Sequence, residues 1–428
     1  MSFSEANRFL DKHINLEARA GYFEDLSLSS MEALMHLSGD PHQAFRSIHI
    51  TGTNGKGSTA TMVARLLQAQ GLRVGRYSSP HLASITERIE INGEPVSEEL
   101  FAEEVLGLAA VSEMSEYPAS YFELLTAAAY RIFAVEGVEV AVIEVGVLGR
   151  FDATNVIEAD VAVVTNIGTD HTDQQGDWRR SIAGEKVGIS TPSSVLVMGE
   201  ADLELRDIFE GEPSASLLFV ETDFELISDL PAVDGRLLDM RTPRGLYEDV
   251  FVRAHGSHQA QNALIALTAT EEFLDAAVPD DVVAEALGEL VLPGRAEVVA
   301  TEPTILLDGA HNPEAAQALK ETVSTAFAVS EPRVFVLGAL EPRDPAEFIG
   351  NVGIGPGDYV VAAPVNSPRS IDTTRIAEAA ESAGAIAEAS VSVDQAIDRA
   401  RVLAGIEGIV IVTGSLYTVG DARRVLVV

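Results

Sequence analysis

In Ile48-His49-Ile50-Thr51-Gly52-Thr53-Asn54-Gly55-Lys56-Gly57-Ser58 an apolar run opens into glycines, a lysine and a hydroxyl, and an amphipathic segment follows. That order predicts a strand, a tight loop and a helix. Glycines let successive backbone N–H groups converge on a phosphate, and the helix behind them adds its positive end. In such a loop Lys56 reaches the β- and γ-phosphates of ATP and the Ser58 hydroxyl ligates Mg²⁺, while Thr53, Asn54, Gly55 and Gly57 line the anion. The usual pattern is broken at two places: Ile50 stands where glycine is expected, and Gly57 separates the lysine from the hydroxyl. A glycine turn capping a helix would explain the glycines alone, but not a lysine and a hydroxyl in this order.

Polar residues also follow other apolar runs, where a parallel sheet opens its ligand crevice. Tyr77-Ser78-Ser79-Pro80-His81-Leu82 is one group, and Glu144-Val145-Gly146 with Gly149-Arg150-Phe151-Asp152-Ala153-Thr154-Asn155 is another. Thr165-Asn166 with Asp170-His171 follows a further run, and Lys186 lies within Glu185–Ile189. A carboxylate and hydroxyls beside a triphosphate suit Mg²⁺, which takes oxygen ligands and shares them with phosphate; histidine is an unusual partner for it. Taken singly, each has a plainer use: Glu144 could pair with an arginine, His171 could cap a helix, and Lys186 could pair with Glu185. Lys186 stands out by rarity. The lysines are Lys12, Lys56, Lys186 and Lys320, so the 29 basic residues include 29 − 4 = 25 arginines. Lysine, unlike arginine, can shed its proton and become a nucleophile or adduct former.

Positioning these groups requires strands that end side by side. Ser47–Ile50, Leu72–Tyr77, Val140–Val145, Val161–Asn166 and Val195–Met198 read as buried strands, with Thr59–Gln70, Ser97–Val111 and Phe122–Glu136 as helices between them. The alternation implies a parallel sheet covered by helices on both faces. From 200 to 255 the segments shorten and alternate, as in Ser216–Glu221 and Val250–Ala254, which predicts a small antiparallel patch. A helix rich in alanine and leucine follows His258, and Pro293-Gly294-Arg295 then interrupts the pattern as a hinge. Beyond it, Thr304–Leu307, Arg333–Leu337, Asp358–Ala363 and Gly408–Thr413 read as strands, and Pro313–Phe327, Thr373–Ser382 and Asp394–Ala404 as helices. The fold class is α/β: an N-terminal P-loop-type parallel-sheet ATPase domain with a small antiparallel patch over 1–292, a hinge linker over 293–303, and a C-terminal Rossmann-like α/β domain over 304–428.

Composition narrows the partners. With 428 residues and 46% hydrophobic content, the chain can build more than one core. It contains no apolar run of the roughly eighteen residues a membrane span needs. The first residues lack a signal-peptide core, and without cysteine neither a disulfide scaffold nor a thiolate metal site can form. A cytoplasmic protein is expected. The 66 acidic residues against 29 basic ones, a formal net charge of −37, repel nucleic acid and anionic membranes, so neither is an expected partner. Any anion site must be built locally from N–H groups, a few cations and metal ions. The acid-rich, lysine-poor composition fits a salty habitat or GC-rich coding equally.

Taken together and in order, the motifs resemble the folylpolyglutamate synthase/dihydrofolate synthase family of the Mur ligase superfamily. The resemblance runs through Ile48–Ser58, Ser78–Leu82 with Glu87-Arg88-Ile89, Phe122-Glu123, Glu144–Asn155, Asp170-His171 and Glu185-Lys186. It continues through His258-Gln259 with Asn262, Pro293–Arg295, Asp308–Pro313 and Gly414-Ser415. It implies a monomeric ATP-dependent amide ligase that adds L-glutamate to dihydropteroate, to folate, or to both, through an acyl phosphate. It also implies that Ser58, Ser79, Glu144 and His171 serve two Mg²⁺ ions, and that Lys186 carries a carbamate ligating the second. Asn262 would contact adenine and Arg295 and Asp308 the rest of ATP, with His311 beside them as a catalytic group like Lys56 and Lys186. Phe122 and Asp152 would hold the pterin ring, Ser78, Pro80 and His81 would line the acceptor site, and Ser415 would lie near the incoming glutamate.

The chain departs from the family pattern where Leu148 replaces a glycine, where Pro342-Arg343-Asp344 replaces Asp-Lys-Asp, and where Tyr417 replaces a histidine. Two other readings stay open: a Mur-type amino-acid ligase acting on a cell-wall precursor, and a non-catalytic ATP-binding regulatory protein, which Leu148 and Arg343 keep in play.

Overall fold

Strand Arg46–Thr51 is buried from Ser47 onward, as a central parallel strand covered on both faces must be. The computed structural model describes residues 2–15, 27–169, 176–327 and 331–427. The chain divides into two units. The first comprises Met1–Ser228, Leu238–Val250 and Gln261–Glu289; the second comprises Asp229–Leu237, Phe251–Ala260 and Leu290–Val428.

In the first unit an eight-stranded sheet runs, edge to edge, Glu94–Pro95, Ile89–Ile91, Val74–Tyr77, Val140–Glu144, Arg46–Thr51, Val161–Val164, Val195–Met198 and Ser216–Phe219. Ile89–Ile91 and Glu94–Pro95 pair antiparallel at one edge; the other pairings are parallel. Ile50 lies opposite both Glu144 and Val163, so the loops leaving these neighbouring strands emerge together. Helix Lys56–Ala69 follows the first of them and buries Met62, Val63, Leu66 and Leu67, spaced for one helical face. Helices Glu98–Met114 and Tyr121–Val135 share a core with Tyr77, Ala141 and Ile143, and helix Trp178–Val187 shares another with Ala162, Val164, Leu196 and Met198.

In the second unit a six-stranded sheet runs Glu297–Thr301, Thr304–Leu307, Ile409–Thr413, Arg333–Leu337, Tyr359–Ala362 and Ile386–Ala389, parallel except for its first strand. Helices Pro313–Ala326, Pro345–Val352, Thr373–Ser382, Val393–Ala404 and Leu416–Leu426 alternate with its strands. A separate three-stranded sheet consists of Glu225–Ala232, Gly235–Arg241 and Leu246–Val252, joined by turns too short for anything but antiparallel neighbours. Among the described residues no helix is long and apolar enough to cross a membrane.

Two expectations need correction. Ser216–Phe219 belongs to the parallel sheet rather than to the antiparallel patch. It is an edge strand with only Phe219 fully buried, so its burial is incomplete in the way a half-solvated antiparallel strand's would be. Within the expected linker, Glu297–Thr301 forms an edge strand antiparallel to Thr304–Leu307. Its polar ends and the following Glu302-Pro303 turn disguise it.

Candidate active site

The phosphate-type loop is built as its glycines require. Gly52 has φ +148°, and a Cβ there would lie 1.8 Å from the Thr165 hydroxyl oxygen. Gly55, at φ +84°, is the N-cap of helix Lys56–Ala69. The neighbouring strand's continuation clamps the loop: Thr53 N–H donates to the Asn166 carbonyl (3.1 Å) and Asn54 N–H to Asn166 Oδ1 (2.9 Å). The Asn54 carbonyl accepts from Thr165 Oγ1 (2.6 Å) and Asn166 Nδ2 (3.0 Å). The first-turn N–H groups of a helix have no intrahelical acceptor and can face an anion. Ser58 is buried in that turn. Lys56 Nζ donates to the carbonyls of Gly52 (2.9 Å) and Thr53 (3.2 Å), and buried Lys186 Nζ donates to the same Gly52 carbonyl at 2.8 Å. Two cations thus meet on one backbone oxygen, brought together by tertiary folding from distant parts of the chain.

Glu144 ends the adjacent strand. Its Oε2 accepts from Ser79 N–H (3.3 Å) and would lie 3.4 Å from a Cβ on Gly57. Glu144, Ser79 and the Gly57–Ser58 turn therefore converge where three neighbouring strands end. Among the described residues no three His, Cys, Asp or Glu side chains group as a metal site. A lone carboxylate beside hydroxyls fits a hard cation that completes its shell with phosphate and water. His171 and Asp170 lie outside the described residues.

The Ser78–Leu82 segment is tied down from behind. Ser78 N–H donates to the Arg88 carbonyl (2.9 Å), and the Glu87 carboxylate accepts from the N–H groups of Leu82 (2.9 Å), Ala83 (3.2 Å) and Ser84 (2.9 Å). Buried Arg88 donates through Nε to His81 Nδ1 (3.0 Å), so that nitrogen carries no proton. Ser79-Pro80 is a cis peptide, with Pro80 exposed. His81, Ala83, Ser84, Ile85 and Tyr121 line a cavity of about 320 Å³ together with Phe3, Asn7 and Asp11. Phe122 lies in the first turn of helix Tyr121–Val135, capped by Ser120 and Glu123; its ring centroid is 6.0 Å from that of Tyr77, and a Cβ on Gly146 would meet it at 2.5 Å.

Asp152 is buried and accepts from Val147 N–H (2.8 Å), Thr154 N–H (3.0 Å) and Thr154 Oγ1 (2.5 Å). Burial pushes its pKa up, and these hydrogen bonds pull it back. Leu148 adopts φ +58°, the left-handed conformation expected of the glycine it replaces, and its carbonyl accepts from Thr51 Oγ1 at 2.5 Å. The leucine is accommodated in the loop's geometry. Asn262 stands over the phosphate-type loop, with Oδ1 2.4 Å from a Cβ placed on Gly55.

The remaining expected residues belong to the second unit. Buried Asp308 accepts from the N–H groups of Ala296 and Ala310, both at 2.8 Å. Burial raises its pKa, while Arg295 and His258 oppose the rise. Arg295 Nη1 would lie 2.9 Å from a Cβ on Gly309. His311 Nδ1 donates to the Gly309 carbonyl (2.7 Å). Ser415 is buried as the N-cap of helix Leu416–Leu426, accepting from Tyr417 N–H (3.1 Å) and Thr418 N–H (3.2 Å). Sequence reasoning assigned no task to His49 or Thr154, which meet through a 2.9 Å hydrogen bond behind Asp152. The one local signal was a histidine in an otherwise apolar strand.

The fold and the loop define a Mur-type ligase: the Mur ligase middle domain matches residues 50–270, and the Mur ligase glutamate ligase domain matches residues 294–416. The dihydrofolate synthase/folylpolyglutamate synthase of Mycobacterium tuberculosis is 38% identical over 382 residues, covering 83% of this chain and 78% of that one. A solved M. tuberculosis folylpolyglutamate synthase complexed with ADP and AMPPCP superposes with a TM-score of 0.89 at 34% identity, over 100% of this chain and 98% of that one. A bifunctional folylpolyglutamate synthase/dihydrofolate synthase with Mn, AMPPNP and L-glutamate bound gives a TM-score of 0.86 at 27% identity, over 100% of this chain and 98% of that one.

The chain belongs to the dihydrofolate synthase/folylpolyglutamate synthase family of Mur ligases.

Proposed function

We infer that this chain joins L-glutamate to a pterin-bearing carboxylic acid, dihydropteroate or a folate, at the expense of ATP. A carboxylate oxygen of the acceptor attacks the γ-phosphorus, ADP leaves, and an acyl phosphate results. The glutamate amine then attacks the acyl carbon; phosphate departs, the amine gives up a proton, and an amide remains. Positioning and charge neutralisation carry most of the phosphoryl step.

The convergence of Glu144, Ser79 and the Gly57–Ser58 turn beside Lys56 carries this reading. The loop and helix N–H groups bind the phosphates. Lys56 turns from the Gly52 and Thr53 carbonyls toward the transferring group. Ser58, Ser79 and Glu144 would hold Mg²⁺, with His171 a further proposed ligand; when bound, the ion would offset charge on the transferring phosphoryl group. Lys186, as a carbamate, would hold a second ion. The adduct forms from the neutral amine and CO₂ with loss of a proton, so it must compete with the ammonium's bond to the Gly52 carbonyl. Asn262 is assigned to adenine, Arg295 and Asp308 to the rest of ATP, and His311 to a place beside them. Phe122 and Asp152, with Ser78, Pro80 and His81, are assigned to the acceptor, and Ser415 to the incoming glutamate.

Purified protein given ATP, Mg²⁺, L-glutamate and either dihydropteroate or tetrahydrofolate should release phosphate in step with a product heavier by one glutamyl unit. Failure to release phosphate with both acceptors refutes the reading.

A further inference from the structure

Behind Asp152 lies a hydrogen-bond chain whose proton positions can be counted. His49 is completely buried in strand Arg46–Thr51, and its Nε2 is 2.9 Å from Thr154 Oγ1. Its Nδ1 is buried with no hydrogen-bond partner among the described residues. A proton on Nδ1 would be a buried, unpaired donor, which is costly, so the ring proton belongs on Nε2. Thr154 has one hydroxyl proton, and the Asp152 carboxylate 2.5 Å away takes it. The chain therefore runs one way: His49 Nε2–H to Thr154 Oγ1, and Thr154 Oγ1–H to Asp152 Oδ1. Burial lowers the His49 pKa to about 3, so the ring stays neutral and the chain keeps this direction across the working pH range.

Thr154 cannot drift out of line. Its N–H also binds Asp152, and its carbonyl accepts from the buried Tyr130 hydroxyl at 2.8 Å. Val147 N–H occupies the other carboxylate oxygen. A carboxylate offers about four lone-pair sites. The donors from Val147, Thr154 N–H and Thr154 Oγ1 are joined by the Gly146 backbone, so the loop holds the carboxylate in one orientation.

We propose that His49 is a positioning residue for the acceptor site: through Thr154 it fixes the orientation of the Asp152 carboxylate and of the loop that presents it to the pterin. This rests on the assignment of Asp152 to the acceptor. Thr154 is the coupling element, and neither residue is required to touch ATP.

The test compares wild type with His49→Leu, His49→Gln, Thr154→Val and Thr154→Ser, measuring kcat and KM for ATP and for each acceptor from pH 5 to 9. Gln can keep a donor near the Nε2 position, and Ser keeps the hydroxyl. Losing one hydrogen bond to a charged group corresponds to about a tenfold effect or more. Thr154→Val should raise the acceptor KM about tenfold while the ATP KM stays within about twofold, and should move the acidic limb of acceptor kcat/KM to higher pH. His49→Leu should shift both in the same direction by less, and His49→Gln and Thr154→Ser should restore most of the effect. Circular dichroism and melting temperature establish that each variant is folded. Parallel rises in both KM values, or a His49→Gln variant as impaired as His49→Leu, overturn the proposal. Wild-type protein inert toward both acceptors overturns the functional reading itself, and this assignment with it.

Discussion

Replacing Glu271 by glutamine tests the proton count at a fully buried carboxyl of the first unit. The Tyr247 phenol has one proton and three neighbours: Glu271 Oε1 at 2.5 Å, the Val278 carbonyl at 2.9 Å and Val278 N–H at 3.1 Å. The count closes when Glu271 is protonated and donates to the phenol, which then donates to the carbonyl and accepts from the N–H. Burial raises the Glu271 pKa above its ordinary 4.5, with the Thr242 hydroxyl, the Val278 backbone and the charge of Arg244 opposing the rise. Arg244 is itself engaged by Glu272 and Asp275, both at 2.9 Å.

The sign follows from linkage. Between 4.5 and the raised folded value, the unfolded chain has lost this proton and the native protein retains it. Stability is therefore fully present below 4.5 and falls by about 1.4 kcal/mol per pH unit through that window, levelling once the folded group ionises. Glutamine has the same shape, carries a donor for the phenol and does not titrate. At low pH the two proteins should match within about 1 kcal/mol, and the variant should gain on wild type as pH rises. Asp152, Asp308 and Glu185 also have burial-raised pKa values, but they are common to both proteins and cancel in the difference. Urea unfolding at pH 5, 6, 7 and 8 supplies the curves. Parallel curves would mean that Glu271 is ionised in the native protein and that the proton count is wrong.

Gly52→Ala should abolish ATP-dependent turnover, because its Cβ would lie 1.8 Å from Thr165 Oγ1 at a φ of +148°. A glycine-only conformation and a clash together cost about 2–6 kcal/mol, read as lost nucleotide binding and a lower melting temperature. Leu148→Gly should be neutral within about 1 kcal/mol, since relief of left-handed strain offsets lost packing and greater unfolded-chain freedom. Leu148→Val should be clearly destabilised, because a β-branched residue suits that conformation worse; equal melting temperatures for these two variants would contradict the strain argument. Lys186→Ala should lose ligase activity, and short carboxylic acids should restore part of it if the lysine acts as a carbamate. An unrescued variant would leave the lysine's role in its hydrogen bond to Gly52.

Local patterning carried much of the fold. Val195–Met198 and Thr373–Ser382 have the bounds their apolar runs and helical spacing suggest, because a buried strand and an amphipathic helix write their environment into adjacent residues. The glycine loop was legible for the same reason: its φ values and its lysine lie within a few positions. Tertiary structure decided what depends on distant segments. The half-buried Ser216–Phe219 could have joined either kind of sheet, and its pairing with Val195–Met198 settled it. Nothing local to Gly55 announces Asn262 above it, and nothing near Lys186 announces the Gly52 carbonyl. His49 and Thr154 are 105 residues apart, and their hydrogen bond exists because parallel strands deliver their following loops to one end of the sheet. Sequence specified the chemical groups and the elements that carry them; strand order, a long-range consequence of packing apolar faces, decided which groups meet.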